Sequence, residues 1–353
     1  MRMPSESLKR RFSKGKPRTG APVARRRRLT MVAALICFLG LGLAVAVATR
    51  GGPTQSRPRV VLGLFSKLPG LTELQSIQLR EQQLGRNIAI DSHYYDWADP
   101  FPGEVERADI RAGRTPMITW WGIKYAPVLD GSQDQLIVSR ARGLRALGHE
   151  VLLRWGPEMN GWWYETGGAV NGNAPDRYVA TWRHLHDLFA SAGATNVSWV
   201  WAPNSTSQPG GENVRSWNNW RHYYPGDDYV DWVGIDGYNW GTTGSQTSWR
   251  WPASIFDPVY NDYAARKPIM LAETASVEQG GDKAEWIRRL LAWFESHPAA
   301  QALVWFDTNE SRSHFDWRID SSPESMAAFR AMSRTRLFEA GLPLAAAPPQ
   351  GRP

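Results

Sequence analysis

The chain has 353 residues and a formal net charge of +7 at pH 7, from 41 Lys/Arg and 34 Asp/Glu. The positive charge is concentrated in residues 1–50, which contain 12 Lys/Arg and one acidic residue; the rest holds 29 basic and 33 acidic residues, a net charge of −4. A mildly acidic folded region argues against a surface that binds nucleic-acid phosphates. The single cysteine, Cys37, excludes a disulfide within this chain and any site built from several cysteines.

The N-terminal region has the features of a targeting segment. Residues 1–28 form a basic tail that ends in four consecutive arginines, and the 21 residues of 29–49 contain no charged side chain. Such a run is long enough to span a bilayer as one helix, and the positive-inside rule would keep the basic tail in the cytoplasm. A signal peptide cleaved near Ala48 is the alternative, because two A-x-A sites lie in the run. We therefore expect a single-pass protein of the cell membrane with its folded domain outside the cytoplasm, or a secreted protein.

After a linker at 50–59, eight short apolar or aromatic runs alternate with segments of helical periodicity. The runs are 60–66, 88–97, 115–121, 150–154, 197–202, 229–238, 268–273 and 302–307. The candidate helices are 70–84, 103–113, 132–147, 175–192, 254–265, 282–296 and 322–337. This alternation predicts an α/β fold of parallel strands with crossover helices, and eight strands favour a closed (β/α)8 TIM barrel over an open sheet.

The barrel is expected to occupy residues 60–340, followed by a disordered Pro/Ala-rich tail at 341–353. No G-x-G-x-x-G or Walker-type loop follows the first predicted strand, so a nucleotide-binding fold would lack its phosphate cradle. The connection at 203–228 is rich in Asn, Ser, Gly and Trp and has little helical pattern. We predict that it is a long functional loop.

Two glutamates follow predicted strands at the end of the barrel where the βα loops begin. Glu158 lies in RWGPEMNGWWY after the fourth strand, and Glu273 closes the seventh apolar run in KPIMLAETA. A carboxylate at the end of a buried run is costly unless it is paired or functional. Two carboxylates at one barrel mouth are what glycosidic hydrolysis requires, one as proton donor and the other as nucleophile or base. The alternative is that each forms an ordinary ion pair or caps a helix.

Four segments together resemble the family 26 glycoside hydrolases: RWGPEMNGWWY, YYPGDDYVDWVGIDGYNW, KPIMLAETA and VWFDTNE. The resemblance implies a retaining barrel glycosidase in which Glu158 is the acid/base and Glu273 the nucleophile. It also implies that Tyr238 orients the nucleophile and that Trp305 forms the floor under the bound sugar. Many members of the family have His just before the acid/base, whereas this sequence has Pro157.

Further candidates for substrate binding stand near the same strand ends. Arg154 is expected to pair with the nucleophile or another barrel acid, or to form a purely structural ion pair. Asp236 is expected to be a site member or a hydrogen-bond acceptor behind the site. Asn160 and Asn204 are candidate donors to sugar hydroxyls, unless they cap loops. Planar aromatic side chains cover the apolar faces of sugar rings, and the candidates are Trp121, Trp162, Trp163, Trp240 and Trp305.

The sequence therefore favours an endo-acting enzyme that cleaves β-mannan, or a mixed-linkage β-glucan or xylan, by double displacement. Two alternatives remain open: a non-catalytic carbohydrate-binding barrel, suggested by Pro157, and an accessory hydrolase that trims an exported polysaccharide. The seven histidines show no ligand spacing, so neither a metal site nor a cofactor is predicted. The expected partner is a polysaccharide rather than nucleic acid, and the protein is expected to be a monomer.

Overall fold

The computed structural model describes residues 59–209, 217–245, 247–310 and 315–339. The predicted basic tail, the uncharged run, most of the linker and the C-terminal tail lie outside these ranges, as does part of the predicted functional loop. Within the described ranges, no helix has the length and apolar composition that crossing a bilayer requires.

Eight parallel strands form a closed barrel in chain order. They are β1 (Val61–Lys67), β2 (Ile90–Tyr95), β3 (Thr115–Trp120), β4 (Val151–Trp155), β5 (Val197–Trp201), β6 (Trp232–Asn239), β7 (Ile269–Ser276) and β8 (Ala300–Glu310). Each strand pairs with the next, and β1 pairs with β8 along its whole length, which closes the sheet. A two-residue strand, β9 (Phe315–Asp316), pairs antiparallel with the end of β8. The predicted (β/α)8 barrel is therefore confirmed.

Eight α-helices lie in the described parts of the strand connections and after β8. They are α1 (Glu73–Leu84), α2 (Glu104–Arg111), α3 (Tyr125–Leu129), α4 (Asp134–Arg145), α5 (Pro175–Ser191), α6 (Pro252–Tyr263), α7 (Lys283–Ser296) and α8 (Pro323–Ser333). Local sequence fixes several of their ends. Thr72 and Gln75 form a reciprocal capping box at the start of α1, and Gly85 ends this helix with φ of +66°. Ser322 caps the start of α8, where Pro323 takes the first helical position.

Three details differ from the predicted elements. Helix α3 was not predicted, because five residues that include Pro127 are too short for a periodic pattern to show. The predicted sixth strand begins too early, since Tyr229 ends a short 3-10 helix and β6 starts at Trp232. Strand β7 continues to Ser276, so Glu273 lies inside the strand rather than at its end.

The alternation of side chains along the strands separates two apolar cores. The inner core consists of inward-facing residues: Ile90, Met117, Leu152, Val200, Ala202, Trp232, Met270, Ala272, Ala302 and Val304. Outward-facing strand residues and the inner faces of the helices form a second, larger core. Because the inner core fills the barrel interior, the polar side chains that point inward further along the strands stand on a rigid apolar base.

Candidate active site at the barrel mouth

Arg154 is the centre of a buried hydrogen-bond network above the inner core. This inward-facing residue of β4 is completely buried. Its guanidinium donates to Thr119 Oγ1 at 2.9 Å, Asp236 Oδ1 at 2.8 Å, Glu273 Oε2 at 2.8 Å and the Tyr94 hydroxyl at 3.1 Å. A buried cation is tolerated only when charged and polar partners replace its water, and here they come from β2, β3, β6 and β7.

Glu273 faces the barrel interior because β7 is irregular at this point. Leu271 packs in the outer core and Ala272 in the inner one, so simple alternation would turn the next side chain outward. The pairing of β7 with β8 shifts register between Leu271 and Thr274. A local irregularity of this kind is a common way to re-aim a side chain beside an active site. The carboxylate is thereby directed to the mouth of the barrel.

Within the part of the chain that the structure describes, three side chains donate hydrogen bonds to the carboxylate of Glu273. The Tyr94 hydroxyl donates to Oε2 at 2.5 Å, Arg154 donates to the same oxygen, and the Tyr238 hydroxyl donates to Oε1. Burial, in the first place, and the negative charge of Glu273, in the second, raise the pKa of Tyr94 and of Tyr238 well above the ordinary value for a tyrosine. Both phenols therefore remain O–H donors at neutral and moderately alkaline pH, and together with the guanidinium they fix the orientation of the carboxylate.

Asp236 shares Arg154 with Glu273 but is completely buried. Burial raises the pKa of Asp236 well above its usual range, against the lowering effect of the guanidinium. Oδ1 accepts the hydrogen bond from Arg154, whereas Oδ2 has no hydrogen-bond partner within the described residues. One guanidinium therefore faces two carboxyl groups, and burial disfavours the charged form of Asp236.

Glu158 lies in a tight turn directly after β4. Gly156 and Glu158 have positive φ angles of +53° and +52°, a conformation that is uncommon for a residue with a Cβ and that marks strain at functional sites. The Glu158 N–H donates to the Ala202 carbonyl at 2.8 Å, which ties this turn to the end of β5. Its carboxylate accepts hydrogen bonds from Trp163 Nε1 and Asn204 Nδ2.

The two glutamates open onto the same mouth. Asn204, which donates to Glu158, forms a β-bridge with Asp236, and Asp236 is the register partner of Glu273. The ring of Tyr164 lies beside that of Trp163, a donor to Glu158, and burial and then the charges of Glu158 and Glu273 raise the pKa of Tyr164 well above its ordinary value. Two carboxylates, each held by at least two donors, thus converge on one cleft.

Aromatic rings surround these carboxylates. Trp121 meets the ring of Tyr164 edge-on at 4.7 Å, and Trp163 lies 6.4 Å from the same ring. Trp162 contacts Trp163 at 6.1 Å, and Trp240 follows directly on β6. Except for the nearly buried Trp121, these rings are half-buried. Flat, partly exposed rings beside buried carboxylates form a surface that suits the apolar face of a sugar.

The chain resembles known proteins in sequence and in fold. Residues 122–257 match the family model described as glycosyl hydrolase family 26. Over 306 residues the chain is 38% identical to Endoglucanase H of Acetivibrio thermocellus, an alignment that covers 84% of this chain and 33% of that protein. The chain belongs to glycosyl hydrolase family 26.

Other relatives extend the family 26 match. A mannan endo-1,4-beta-mannosidase A and B of Caldalkalibacillus mannanilyticus is 27% identical over 193 residues, covering 53% of this chain and 33% of that protein. The solved structure of mannanase BCman from Bacillus subtilis shares the fold with a TM-score of 0.55 at 20% identity, covering 78% of this chain and 85% of that one. A β-mannanase from Bacteroides ovatus has the same TM-score at 17% identity, covering 80% and 90%. The chain spans about a third of the length of its curated relatives.

The prediction that Trp305 forms the floor under the sugar is wrong for this family 26 barrel. On β8, Val304 belongs to the inner core and Phe306 contacts Tyr94 inside the barrel, so the residue between them faces outward. Trp305 is completely buried against Trp286 of α7 at 5.9 Å and a phenylalanine of α8 at 5.2 Å. Its side chain belongs to the outer core.

Three other predicted substrate ligands are completely buried and do not line the open cleft. Arg154 and Asp236 lie behind Glu273, where they set its surroundings. Asn160 donates to the Asn204 carbonyl at 2.9 Å and to Ser207 Oγ at 3.1 Å, so it holds the segment after β5 in place. Arg154 thus pairs with Glu273 and with Asp236, and Asp236 accepts a hydrogen bond behind the site, as expected from the sequence. Asn160 holds a loop, which is the alternative that the sequence left open for it.

A buried polar cluster outside the mouth was not predicted from histidine spacing. Asp91, His93 and Asp109 each offer one potential ligand atom, and these atoms lie within 4.8 Å of one another. His93 Nε2 already lies 2.7 Å from Asp109, and Nδ1 lies 3.3 Å from Glu73 on α1. Arg114 donates to Asp109 at 2.9 Å. Because His93 and the Arg114 guanidinium already contact Asp109, and His93 also contacts Glu73, we interpret the cluster as an ion-pair network that joins β2 to α1 and α2.

Sequence reasoning did not single out three aromatic residues that the structure places around the candidate site. Tyr94 stands at the end of β2, and alternation from the inner-core residue Ile90 would have pointed it inward. Tyr164 directly follows Trp162 and Trp163 in the loop after β4. Because it lies in no strand, no alternation pattern predicts which way its side chain points. Trp317 lies beyond β9 and packs against Tyr238 at 4.9 Å, a contact that only the folded chain brings together.

Proposed function

We propose that this family 26 chain is a retaining, endo-acting β-glycanase with Glu273 as nucleophile and Glu158 as acid/base. The supporting observation is that Glu158 and Glu273 converge on one mouth, where Glu273 is held by a guanidinium and two phenols. A cationic partner suits the carboxylate that attacks as an anion, which leaves Glu158 as the carboxyl group that must carry a proton.

The proposed reaction is a double displacement. In the first step, a Glu273 oxygen forms a bond to C1 of the sugar while Glu158 gives its proton to the departing glycosidic oxygen. In the second step, Glu158 removes a proton from water, the water oxygen attacks C1, and the ester bond to Glu273 breaks with overall retention. Tyr94, Tyr238 and Arg154 hold the attacking carboxylate in one orientation, so little rotational freedom is lost when the bond forms.

For the substrate we propose a β-linked glucan first and a β-mannan second. The relative that is 38% identical is named an endoglucanase, whereas the relative named as acting on mannan is 27% identical over a shorter alignment. The half-buried rings of Trp162, Trp163 and Trp240 favour a chain of several sugars rather than one small glycoside. Xylan is the third candidate, because a relative named as a β-1,3-xylanase is 28% identical over 152 residues.

The test is hydrolysis of a panel of mixed-linkage β-glucan, mannan, β-1,4-xylan and β-1,3-xylan, measured as new reducing ends. We expect the fastest release from β-glucan, with internal cleavage shown by a rapid fall in viscosity. Glu273→Ala and Glu158→Ala should lose activity, whereas Glu165→Ala, an exposed glutamate of the same loop, is the matched control. Binding without turnover on every polymer would instead favour a non-catalytic carbohydrate-binding barrel.

Azide distinguishes the roles of the two glutamates. With an activated aryl glycoside, azide should restore turnover of Glu273→Ala and give a glycosyl azide of inverted configuration. The same reagent should give the retained azide with Glu158→Ala, because the covalent intermediate still forms. Exchange of these two stereochemical results between the variants would show that the roles are reversed.

We further propose that residues 29–49 anchor the barrel to the outer face of the cell membrane and that the protein is a monomer. The proposal rests on the uncharged run of 21 residues and the four arginines before it. Fractionation of cells that express the full chain should recover it with membranes, and replacing Leu41 and Leu43 in the run with arginine should abolish this. Recovery of a shortened protein in the medium would instead indicate cleavage near Ala48. Light scattering of the detergent-solubilised protein tests the monomer.

A further inference from the structure

Trp317 is part of the wall behind the predicted catalytic tyrosine. Its ring lies 4.9 Å from the ring of Tyr238 and 4.9 Å from that of Trp240, and it is only 1% exposed. Tyr238 in turn donates to Glu273. A shift of Trp317 would therefore open space beside the phenol and loosen its hold on the carboxylate.

The backbone that carries Trp317 is joined to the sheet by few hydrogen bonds, one of them from the Trp317 N–H to the Thr308 carbonyl at 3.0 Å. Strand β9 is two residues long and pairs with the end of β8 at two positions. Short, two-stranded pairings of this kind are marginally stable without further contacts. Side chains from behind the barrel supply those contacts.

Three consecutive carbonyls around Trp317 each accept a hydrogen bond from a buried side chain. Lys283 Nζ donates to the Asp316 carbonyl at 3.3 Å and to the Arg318 carbonyl at 2.7 Å. Trp305 Nε1 donates to the Trp317 carbonyl at 2.8 Å. We call these two side chains, Lys283 and Trp305, the rear clamp. It fixes the backbone on both sides of the ring that packs on Tyr238.

Lys283 is an unusual residue for this place. It begins α7 and is completely buried, and its ammonium group donates a third hydrogen bond to Ser321 Oγ at 2.8 Å. Burial lowers its pKa to about 8, so an ammonium persists at neutral pH despite the cost of desolvation. An apolar residue would pack here at lower cost, but it would leave the carbonyls of Asp316 and Arg318 without these donors.

We propose that Lys283 is a positioning residue for the hydrolytic reaction, acting through Trp317 on Tyr238 and so on the nucleophile. The inference rests on the proposed function, because it takes Glu273, to which Tyr238 donates, as the nucleophile. It also gives Trp305 a role on the outer side of β8: its indole N–H, rather than its ring face, serves the active site.

The test is the substitution Lys283→Met, which keeps an unbranched side chain, shorter by one atom, and removes the three donors of the ammonium group. The matched control is Lys267→Met. Lys267 also donates to a backbone carbonyl, that of Asp227, but it lies just before β7, at the end of the barrel opposite the mouth. We expect Lys283→Met to lower kcat about 10-fold with KM changed less than about 2-fold, and the control to keep both. Trp305→Phe, which keeps an aromatic core residue and removes one donor, should change kcat in the same direction.

A double-mutant cycle separates positioning from general destabilisation. In a Tyr238→Phe background, Lys283→Met should lower kcat less than about 2-fold, because the group through which it acts is already gone. An equal loss in both backgrounds, or wild-type kcat in Lys283→Met, would overturn the proposal. A crystal structure of Lys283→Met gives a result independent of activity: Trp317 should move away from Tyr238, and an unmoved ring would refute the clamp. Absence of hydrolysis by the unsubstituted protein would count against the proposed function instead.

Discussion

Replacing Arg154 with methionine should destabilise the barrel far more than replacing its partner Asp236 with asparagine. Arg154→Met leaves two buried carboxyl groups facing each other without the guanidinium that now lies 2.8 Å from each. Removing one member of a buried ion pair costs about 3–5 kcal/mol, a large share of the roughly 5–15 kcal/mol that stabilises a typical domain. Asp236→Asn alone should cost about 1 kcal/mol, because an amide oxygen can still accept from Arg154 and Glu273 remains beside the guanidinium.

The double variant tests the reasoning. Arg154→Met with Asp236→Asn removes both the cation and the second acid, so it should recover at least about 2 kcal/mol of the loss from Arg154→Met. The measurement is urea unfolding at pH 7, followed by tryptophan fluorescence, of the parent, both single variants and the double variant. A loss below about 1 kcal/mol for Arg154→Met, or no recovery in the double variant, would refute the idea that Asp236 and Glu273 compete for one positive charge.

Three further predictions follow from contacts at and behind the mouth. Tyr94→Phe and Tyr238→Phe each remove a hydrogen bond to the carboxylate of Glu273, the proposed nucleophile, worth about 1.5–3 kcal/mol. Each should lower kcat roughly 10- to 100-fold with little change in KM; a rise in KM alone would contradict this. Trp163→Phe keeps an aromatic side chain but removes the indole N–H that donates to Glu158, the proposed acid/base. The kcat should therefore fall more on polysaccharide than on an aryl glycoside with a good leaving group; equal losses would count against that role. His93 is buried, which disfavours its charge, but Asp91, Asp109 and Glu73 outweigh this and raise its pKa. Its stabilising contribution is therefore full below about pH 6.5 and declines as pH rises through the folded-state pKa, so the difference in unfolding free energy between the parent and His93→Gln should shrink from pH 6.5 upwards.

The barrel could be predicted because its signal is repeated along the chain. Eight apolar runs alternate with helical periods, and no single run has to be interpreted correctly for the architecture to emerge. The errors occur where a local feature competes with the pattern. Tyr229 continues an aromatic run in sequence but belongs to a short 3-10 helix. Helix α3 has too few residues to show a period, although it packs against α5.

The placement of the two glutamates was predictable only in part. Motif order puts Glu158 and Glu273 at the same end of the barrel, and the structure places them there, while their chemical roles stay predictions. The inward orientation of Glu273 could not be read from the sequence, because it depends on the irregular pairing of β7 with β8 after Leu271. Strict alternation from Leu271 would have turned the carboxylate towards the helices. A sequence pattern therefore locates this residue without establishing the direction of its side chain.

Trp305 and Trp317 show that a sequence motif can mark a residue without predicting which way its side chain points. Trp305 stands in a motif that resembles the family. It directly follows the inward-facing Val304, so the alternation of side chains along β8 turns Trp305 outward. Trp317 carries no motif, yet its ring packs on Tyr238. The hydrogen bond from Trp305 to the Trp317 carbonyl joins them. A substitution at 305 should therefore affect catalysis through the backbone of 317 rather than through contact with sugar, so Trp305→Phe should lower kcat and leave oligosaccharide affinity unchanged, whereas a true sugar platform would lose affinity.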